Sequence, residues 1–274
     1  MSSVNTNVGA MIALQNLNAT SSDLMRTQTR ISTGLKVANA KDDGAAFAIA
    51  QTQRATVSSL DAVKDSLSRG SSVVDVAMSA GSSVSDMLTQ LKEKALAASD
   101  TSLDTTSRTA LNNDFTSIRD QITKTLSNAT FNSINLVNGT NANITALANA
   151  DGTGKITVSG QDMSLGGSVV TLGATASFGT ATSAGNLLTT IDTSINNVSA
   201  SLASLGTSSK ALDNHASFVG KLQDSITAGI GNLVDADMAK ESAKLQALQT
   251  KQQLGVQALS IANQSTGTVL SLFR

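Results

Sequence analysis

The chain has 274 residues, 14% of them charged, with a net charge of −1 and no Trp, Tyr, Pro or Cys. A balanced charge gives no basic patch for nucleic acid, and zero cysteine removes disulfides and thiolate metal sites. With aromatics at only 2%, Ala, Leu, Ile and Val must fill any core, and the absence of proline permits very long helices, because one interior proline costs about 3 kcal/mol.

The first element is a helix whose seats follow a 3,4 spacing: Leu14, Leu17, Ser21, Leu24, Gln28, Ile31 and Leu35. Asp42-Asp43-Gly44 then reads as a turn and helix start, where carboxylates favour the positive end of the dipole. A second run follows: Leu60, Val63, Leu67, Gly70, Val74, Ala77, Gly81, Val84, Leu88, Leu91, Ala95 and Ala98. Its small seats at Gly70, Ala77 and Gly81 would let a partner helix approach closely. Asp100 to Asp104 breaks the pattern, with Asp104 as candidate N-cap. A shorter stripe reads Leu111, Phe115, Ile118, Ile122, Leu126 and Ala129.

Between about Thr130 and Gly185 the character changes. This stretch holds nine of the twenty glycines and three charged residues, Asp151, Lys155 and Asp162. The β-like pieces Asn143–Ala148, Lys155–Ser159 and Val169–Leu172 are separated by Asp151-Gly152-Thr153-Gly154 and Gly166-Gly167, so one or two hairpins are expected. From Leu188 the strongest repeat begins: Leu188, Ile191, Ile195, Val198, Leu202, Leu205, Ser209, Leu212, Ala216, Val219, Gln223, Ile226, Ile230 and Leu233. Twelve of these fourteen seats are apolar, as a coiled-coil seam requires. The C-terminal seats include Met238, Leu245, Leu248, Gln252, Gly255, Leu259, Ala262, Thr266, Val269 and Phe273.

These elements predict a mainly α fold. It is a long antiparallel helical bundle or coiled coil with a small β-hairpin region in the middle of the chain and both termini at one end. The ends have a further property: Met1 to Ser22 and Gln252 to Phe273 contain no charged side chain. A charge-free surface with a thin apolar seam is poorly suited to water. The terminal seats are too few to offset the cost of ordering both ends, so a lone monomer is expected to leave them largely disordered and neighbouring copies to supply the missing burial. No apolar run approaches the roughly 18 residues of a membrane span, and the N-terminus lacks the features of a conventional signal peptide.

Three segments, Ile31 to Asp43, Phe131 to Leu136 and Asp235 to Arg274, carry a family resemblance, and the family they resemble is bacterial flagellin. Ile31-Ser32-Thr33-Gly34-Leu35-Lys36-Val37-Ala38-Asn39-Ala40-Lys41-Asp42-Asp43 resembles its N-terminal "SSGLRINSAKDDAAG" signature. Phe131-Asn132 to Leu136 is similar to the "FNG…LL" step. Asp235-Ala236-Asp237 through Ala262-Asn263-Gln264 to Val269-Leu270-Ser271-Leu272-Phe273-Arg274 resembles the "DADxA…ANQ…VLSLLR" ending. The resemblance implies a non-enzymatic, cofactor-free subunit that forms a homo-polymer, the extracellular flagellar filament of motility. It implies residues 1–40 with 236–274 as an inner-core terminal coiled coil, 41–130 with 186–235 as an outer-core bundle, and 131–185 as a short surface segment. It also implies export of the unfolded chain by the flagellar type III apparatus, with an export chaperone and a filament cap as partners, and neither nucleic acid nor membrane insertion.

Leu14, Leu17, Leu24, Ile31, Leu245, Leu248, Leu259, Val269 and Leu270 are the expected assembly seats. Leu88-Thr89-Gln90-Leu91-Lys92-Glu93-Lys94-Ala95 aligns with the "LQRVRELA" stretch that a flagellin-sensing Toll-like receptor grips in gut-bacterial members. Gln90 stands there for an arginine and Lys94 for a leucine, and both changes should weaken binding. The alternative reading is a hook–filament junction protein, which shares the terminal helices. An enzyme built on the Gly-rich middle has little support. The lone histidine, His215, reads as an ordinary helix-surface residue, no HExxH is present, and Gly152-Thr153-Gly154 is too short for a nucleotide fingerprint. The six Asn-x-Ser/Thr triplets follow from composition, whereas O-glycosylation of residues 140–180 is a reasonable expectation.

Overall fold

A computed structural model describes the backbone of residues 6–140 and 142–271, and the side chains up to residue 264. The described residues contain α1 (Val8–Thr33), α2 (Gly44–Ala98), α3 (Thr105–Asn128), β1 (Ile144–Leu147), β2 (Lys155–Val158), α4 (Ala181–Val234) and α5 (Met238–Ser271). The chain divides into two compact units, Met1–Ala55 with Ser225–Arg274, and Thr56–Asp224.

The second unit is a helical bundle capped by a hairpin. All twelve predicted seats of α2, from Leu60 to Ala98, are buried. The facing seats of α4 from Leu188 to Gln223 are buried or half-buried, with Ile191, Val198, Leu205, Leu212 and Val219 fully inside. Cross-helix pairs fix their relation: Asp61 with Gln223, Ser71 with Asp213 and Lys92 with Asp192. Numbers rise on one helix as they fall on the other, so α2 and α4 are antiparallel here. The small seats work as anticipated. A Cβ on Gly70 would lie 3.5 Å from both Leu212 Cδ1 and Ala146 Cβ, and one on Gly81 would meet Leu202 Cδ2 at 2.8 Å.

Helix α3 starts where Asp104 accepts the Ser107 amide at 2.9 Å and its hydroxyl at 2.8 Å. Those bonds favour the charged carboxylate and hold Asp104 below the usual carboxylate range, the backbone bond contributing most. Arg108 ties the preceding turn by donating to the carbonyls of Ala98, Asp100 and Leu103. Phe115, Ile122 and Leu126 point inward, and Phe115 meets Phe178 edge-on with ring centroids 5.1 Å apart.

The hairpin pairs β1 with β2 antiparallel, Ile144 opposite Val158 and Leu147 opposite Lys155. Its turn runs through Gly152 at φ 73°, the left-handed conformation glycine adopts without steric cost. Asp151 accepts the Thr153 amide and hydroxyl, which lowers its carboxyl pKa. Two contacts dock the hairpin on the helices: the Leu147 amide donates to Ser66 Oγ at 3.1 Å, and His215 Nε2 lies 2.6 Å from the Ala148 carbonyl. His215 is therefore a hairpin anchor as well as a helix residue.

The expectation of a strand at Val169–Leu172 is corrected. The segment is an irregular loop with Val169, Val170 and Leu172 buried. Its backbone groups are met singly rather than by a neighbouring strand. The Val169 amide goes to Asp162 O and the Thr171 amide to Ser194 Oγ, while Gly166 N and Asn197 Nδ2 donate to the carbonyls of Val170 and Val169. β-branched residues favour a half-buried pleat only where a partner edge exists.

Candidate assembly surface

The first unit is built around α1 and α5. Asn7 caps α1 by accepting the Ala10 amide at 2.9 Å, and Gly34, at φ 71°, ends it by donating to Arg30 O. The chain then meets the segment leading into α5. Leu35 bridges Asp235, the Lys36 and Val37 amides donate to Val234 O, and the Ala236 amide donates to Gly34 O at 2.8 Å. Asp42 accepts the Ala38 and Asn39 amides and Asp43 those of Ala45 and Ala46, so this acidic corner is a turn and helix cap as expected. Asp237 caps α5 through Ala239 and Lys240.

The two terminal helices lie antiparallel. Asn7 Nδ2 donates to Ala262 O at 2.8 Å, a Cβ on Gly255 would lie 3.9 Å from Leu17 Cβ, and Arg30 meets Glu241 at 3.2 Å. On α5 the covered seats are Leu245, Leu248, Gln252, Gly255, Leu259 and Ala262, all as anticipated; Met238 is exposed, and Glu241 takes the first seat instead. On α1 the leucine-type seats Leu17, Leu24 and Ile31 are half-buried, but the alternate seats differ by one position. Thr20 and Thr27, at 4% and 1% exposure, replace Ser21 and Gln28 as the inward residues, and Leu14 is 47% exposed. Thr20 can enter the seam because its hydroxyl is satisfied on its own helix, donating to Asn16 O at 2.8 Å. The side chains of Val269 and Leu270 lie outside the described residues.

The Arg30–Glu241 pair was not anticipated. Glu241 is 8% exposed, and both Arg30 Nε and Glu241 Oε2 are buried without a partner. Arg30 lies in the last turn of α1 and Glu241 in the first turn of α5, so each charge complements its helix dipole.

Outside the seam the pair leaves large apolar side chains in water: Val8, Met11, Ile12, Leu14 and Met25 on α1, and Met238, Leu254, Val256 and Ile261 on α5. Val8, Met11 and Ile12 share one face at i, i+3 and i+4, and Leu254 and Ile261 lie two turns apart on another. Grouped apolar residues of this kind mark an interaction surface, whereas scattered ones are ordinary. A groove beside them is lined by Ala13, Asn16, Leu17, Thr20, Leu254 and Gly255. Among the described residues no group of acidic and histidine side chains could hold a metal ion, and no helix is long and apolar enough to cross a membrane.

Comparison with known proteins identifies this architecture. The family model described as the bacterial flagellin N-terminal helical region matches residues 4–142, and the C-terminal helical region matches 188–273. Flagellin FljM of Caulobacter vibrioides is 59% identical over 274 residues, covering 100% of this chain and 99% of that protein. A flagellin of Brucella melitensis is 40% identical over 283 aligned positions with full coverage of both. The crystal structure of Bacillus cereus flagellin, at 20% identity and a TM-score of 0.51 over 56% of this chain and 88% of that one, shares the fold. The chain belongs to the bacterial flagellin family, as a filament subunit and a structural protein rather than an enzyme.

Proposed function

We propose that this flagellin polymerises by burying the exposed apolar faces of α1 and α5 against neighbouring copies. The observation that carries the reading is the grouped exposure of Val8, Met11, Ile12, Leu254 and Ile261 on ends that lack charge over Met1–Ser22 and Gln252–Phe273. In this reading residues 1–40 with 236–274 form the inner layer of the filament, 41–130 with 186–235 the outer bundle, and 131–185 its surface. Leu17, Leu24, Ile31, Leu245, Leu248 and Leu259 hold the terminal pair together, while the exposed Leu14 reaches a neighbour. Val269 and Leu270 complete the set. The filament is extracellular, and subunits reach it unfolded through the flagellar type III apparatus, with an export chaperone and a filament cap as partners.

Electron microscopy of purified protein, depolymerised and then seeded, tests this. Long tubes of uniform width are expected. A protein that closes into short rings or stays monomeric would overturn the reading and favour a junction protein. The exposed Gln90 and the Lys94 ammonium, 2.7 Å from Asp114, supply neither the arginine nor the leucine of the receptor-gripped stretch. Weak activation of the flagellin-sensing receptor is therefore expected, and a reporter cell responding as to a gut-bacterial flagellin would refute it.

A further inference from the structure

We propose that the Arg30–Glu241 ion pair is the register lock of α1 on α5. The seams of these helices specify register poorly by packing alone. On α1 the layers read Leu17 with Thr20, Leu24 with Thr27 and Ile31 with Gly34, so the pattern repeats itself every seven residues. On α5 the layers Leu245 with Leu248 and Leu259 with Ala262 are aliphatic, with Gln252 and Gly255 between them. Sliding one helix by a heptad, so that Leu17 meets Ala262 and Leu24 meets Gly255, still sets apolar seats of α1 on apolar or small seats of α5. A thin, periodic seam needs a polar device to select one alignment.

The ion pair has the properties of such a device. Arg30 Nη1 and Glu241 Oε1 are 3.2 Å apart, and the remaining buried atoms, Arg30 Nε and Glu241 Oε2, have no other partner. A slip of seven residues at 1.5 Å each would part the charges by about 10 Å. In one direction Arg30 would come opposite the buried Leu248. In the other direction Glu241 would come opposite Leu24. Either slip buries one charge without its counter-charge, which costs far more than the pair gains in place, so the native alignment is favoured by penalising the others. The backbone tie of Gly34, Lys36 and Val37 to Val234 and Ala236 lies at the same end. It anchors that end through the exposed Lys36 and the buried Val37, and the ion pair carries the alignment one turn further into the helices. The lock belongs to the chain itself; its consequence, a fixed display of Val8, Met11, Leu254 and Ile261 to neighbours, rests on the filament reading above.

The chain contains no cysteine, so disulfide reporters on the full-length protein are free of background. Leu17→Cys with Gly255→Cys reports the native register, since the Cβ separation of 3.9 Å suits a disulfide. Leu24→Cys with Gly255→Cys reports the seven-residue slip. After oxidation of monomer and of polymer, non-reducing gels should show the native crosslink exceeding the slipped one by at least about tenfold. Adding Arg30→Met with Glu241→Leu should bring the slipped crosslink to within about threefold of the native one with helix content unchanged. Adding Arg30→Glu with Glu241→Arg should restore the native excess. A slipped crosslink that stays at its parent level in the Met/Leu background overturns the proposal. Loss of both crosslinks together with helix content also overturns it, because the pair would then hold the helices together rather than align them. Crosslinks are read on the chain whether or not tubes form, so a failure of assembly counts against the filament reading alone.

Discussion

The two units of this chain are built from the same heptad spacing and reach opposite ends of the packing scale. In the unit of residues 56–224, every α2 seat from Leu60 to Ala98 is buried, and Gly70 and Gly81 bring α4 and the loops into close contact. In the unit containing α1 and α5, Leu248 alone among the described leucine-type seats is buried, threonines occupy the inside, and Ile261 is 67% exposed. The bundle unit buries its seam as folded, whereas the α1–α5 unit leaves its outer apolar side chains uncovered. The difference comes from the residues between the leucines: Val, Ala and Gly in one seam, Thr, Gln and a buried ion pair in the other.

The largest effect that sharpens this contrast is on assembly. Leu24→Asp or Leu259→Asp places an unpaired charge in the terminal seam; filaments should disappear in electron micrographs while helix content falls little. Filaments at parental yield would show that the terminal seam does not carry assembly. In the bundle unit, Phe115→Ala removes a fully buried ring that meets Phe178 edge-on and should cost about 3–5 kcal/mol in urea unfolding. An effect near zero would mean that this unit is as loosely packed as the other. Gly81→Val forces a methyl toward Leu202 and Met163 and should cost about 1–3 kcal/mol by the same assay. His215→Ala removes the bond to Ala148 and should cost about 1 kcal/mol, seen as faster amide exchange in β1.

The smallest effect is at the start of α3. The folded-state carboxyl of Asp104 is held below its ordinary range, chiefly by the Ser107 amide. Its contribution is therefore present above the ordinary carboxylate range and is lost as pH falls toward the lowered value. Asp104→Asn should flatten the acid limb of the stability profile slightly, and an unchanged limb would assign that loss to other carboxylates such as Asp100 and Asp151, which are lowered in the same way.

Much of this was legible in the sequence because helix seams are local. A 3,4 spacing selects one face whatever it packs against, which is why the α2 seats, the α5 seats from Leu245 to Ala262 and the Asp104 cap could be placed from residue order. The family could be read from Ile31–Asp43 and the C-terminal ending for the same reason: those stretches are continuous. The seam of α1 was half legible. Its leucines marked the face, but among Thr20, Ser21, Thr27 and Gln28 spacing alone does not say which polar residue turns inward. A threonine that satisfies its hydroxyl on its own helix enters the seam, and that choice is made by the partner helix.

What only the tertiary structure decided were the pairings between distant positions. Arg30 and Glu241 are 211 residues apart, and nothing local marks either as buried. Val169–Leu172 has the composition of a strand, yet among the described residues it pairs with none, and Asp162, Ser194 and Asn197 meet its backbone instead. His215 became an anchor because the hairpin turn begins at Ala148 beside it. Periodicity fixes which face of a helix is apolar, since that depends on 3.6 residues per turn. Which buried polar group meets which partner depends on where the chain returns, and that is set by the packing of the whole.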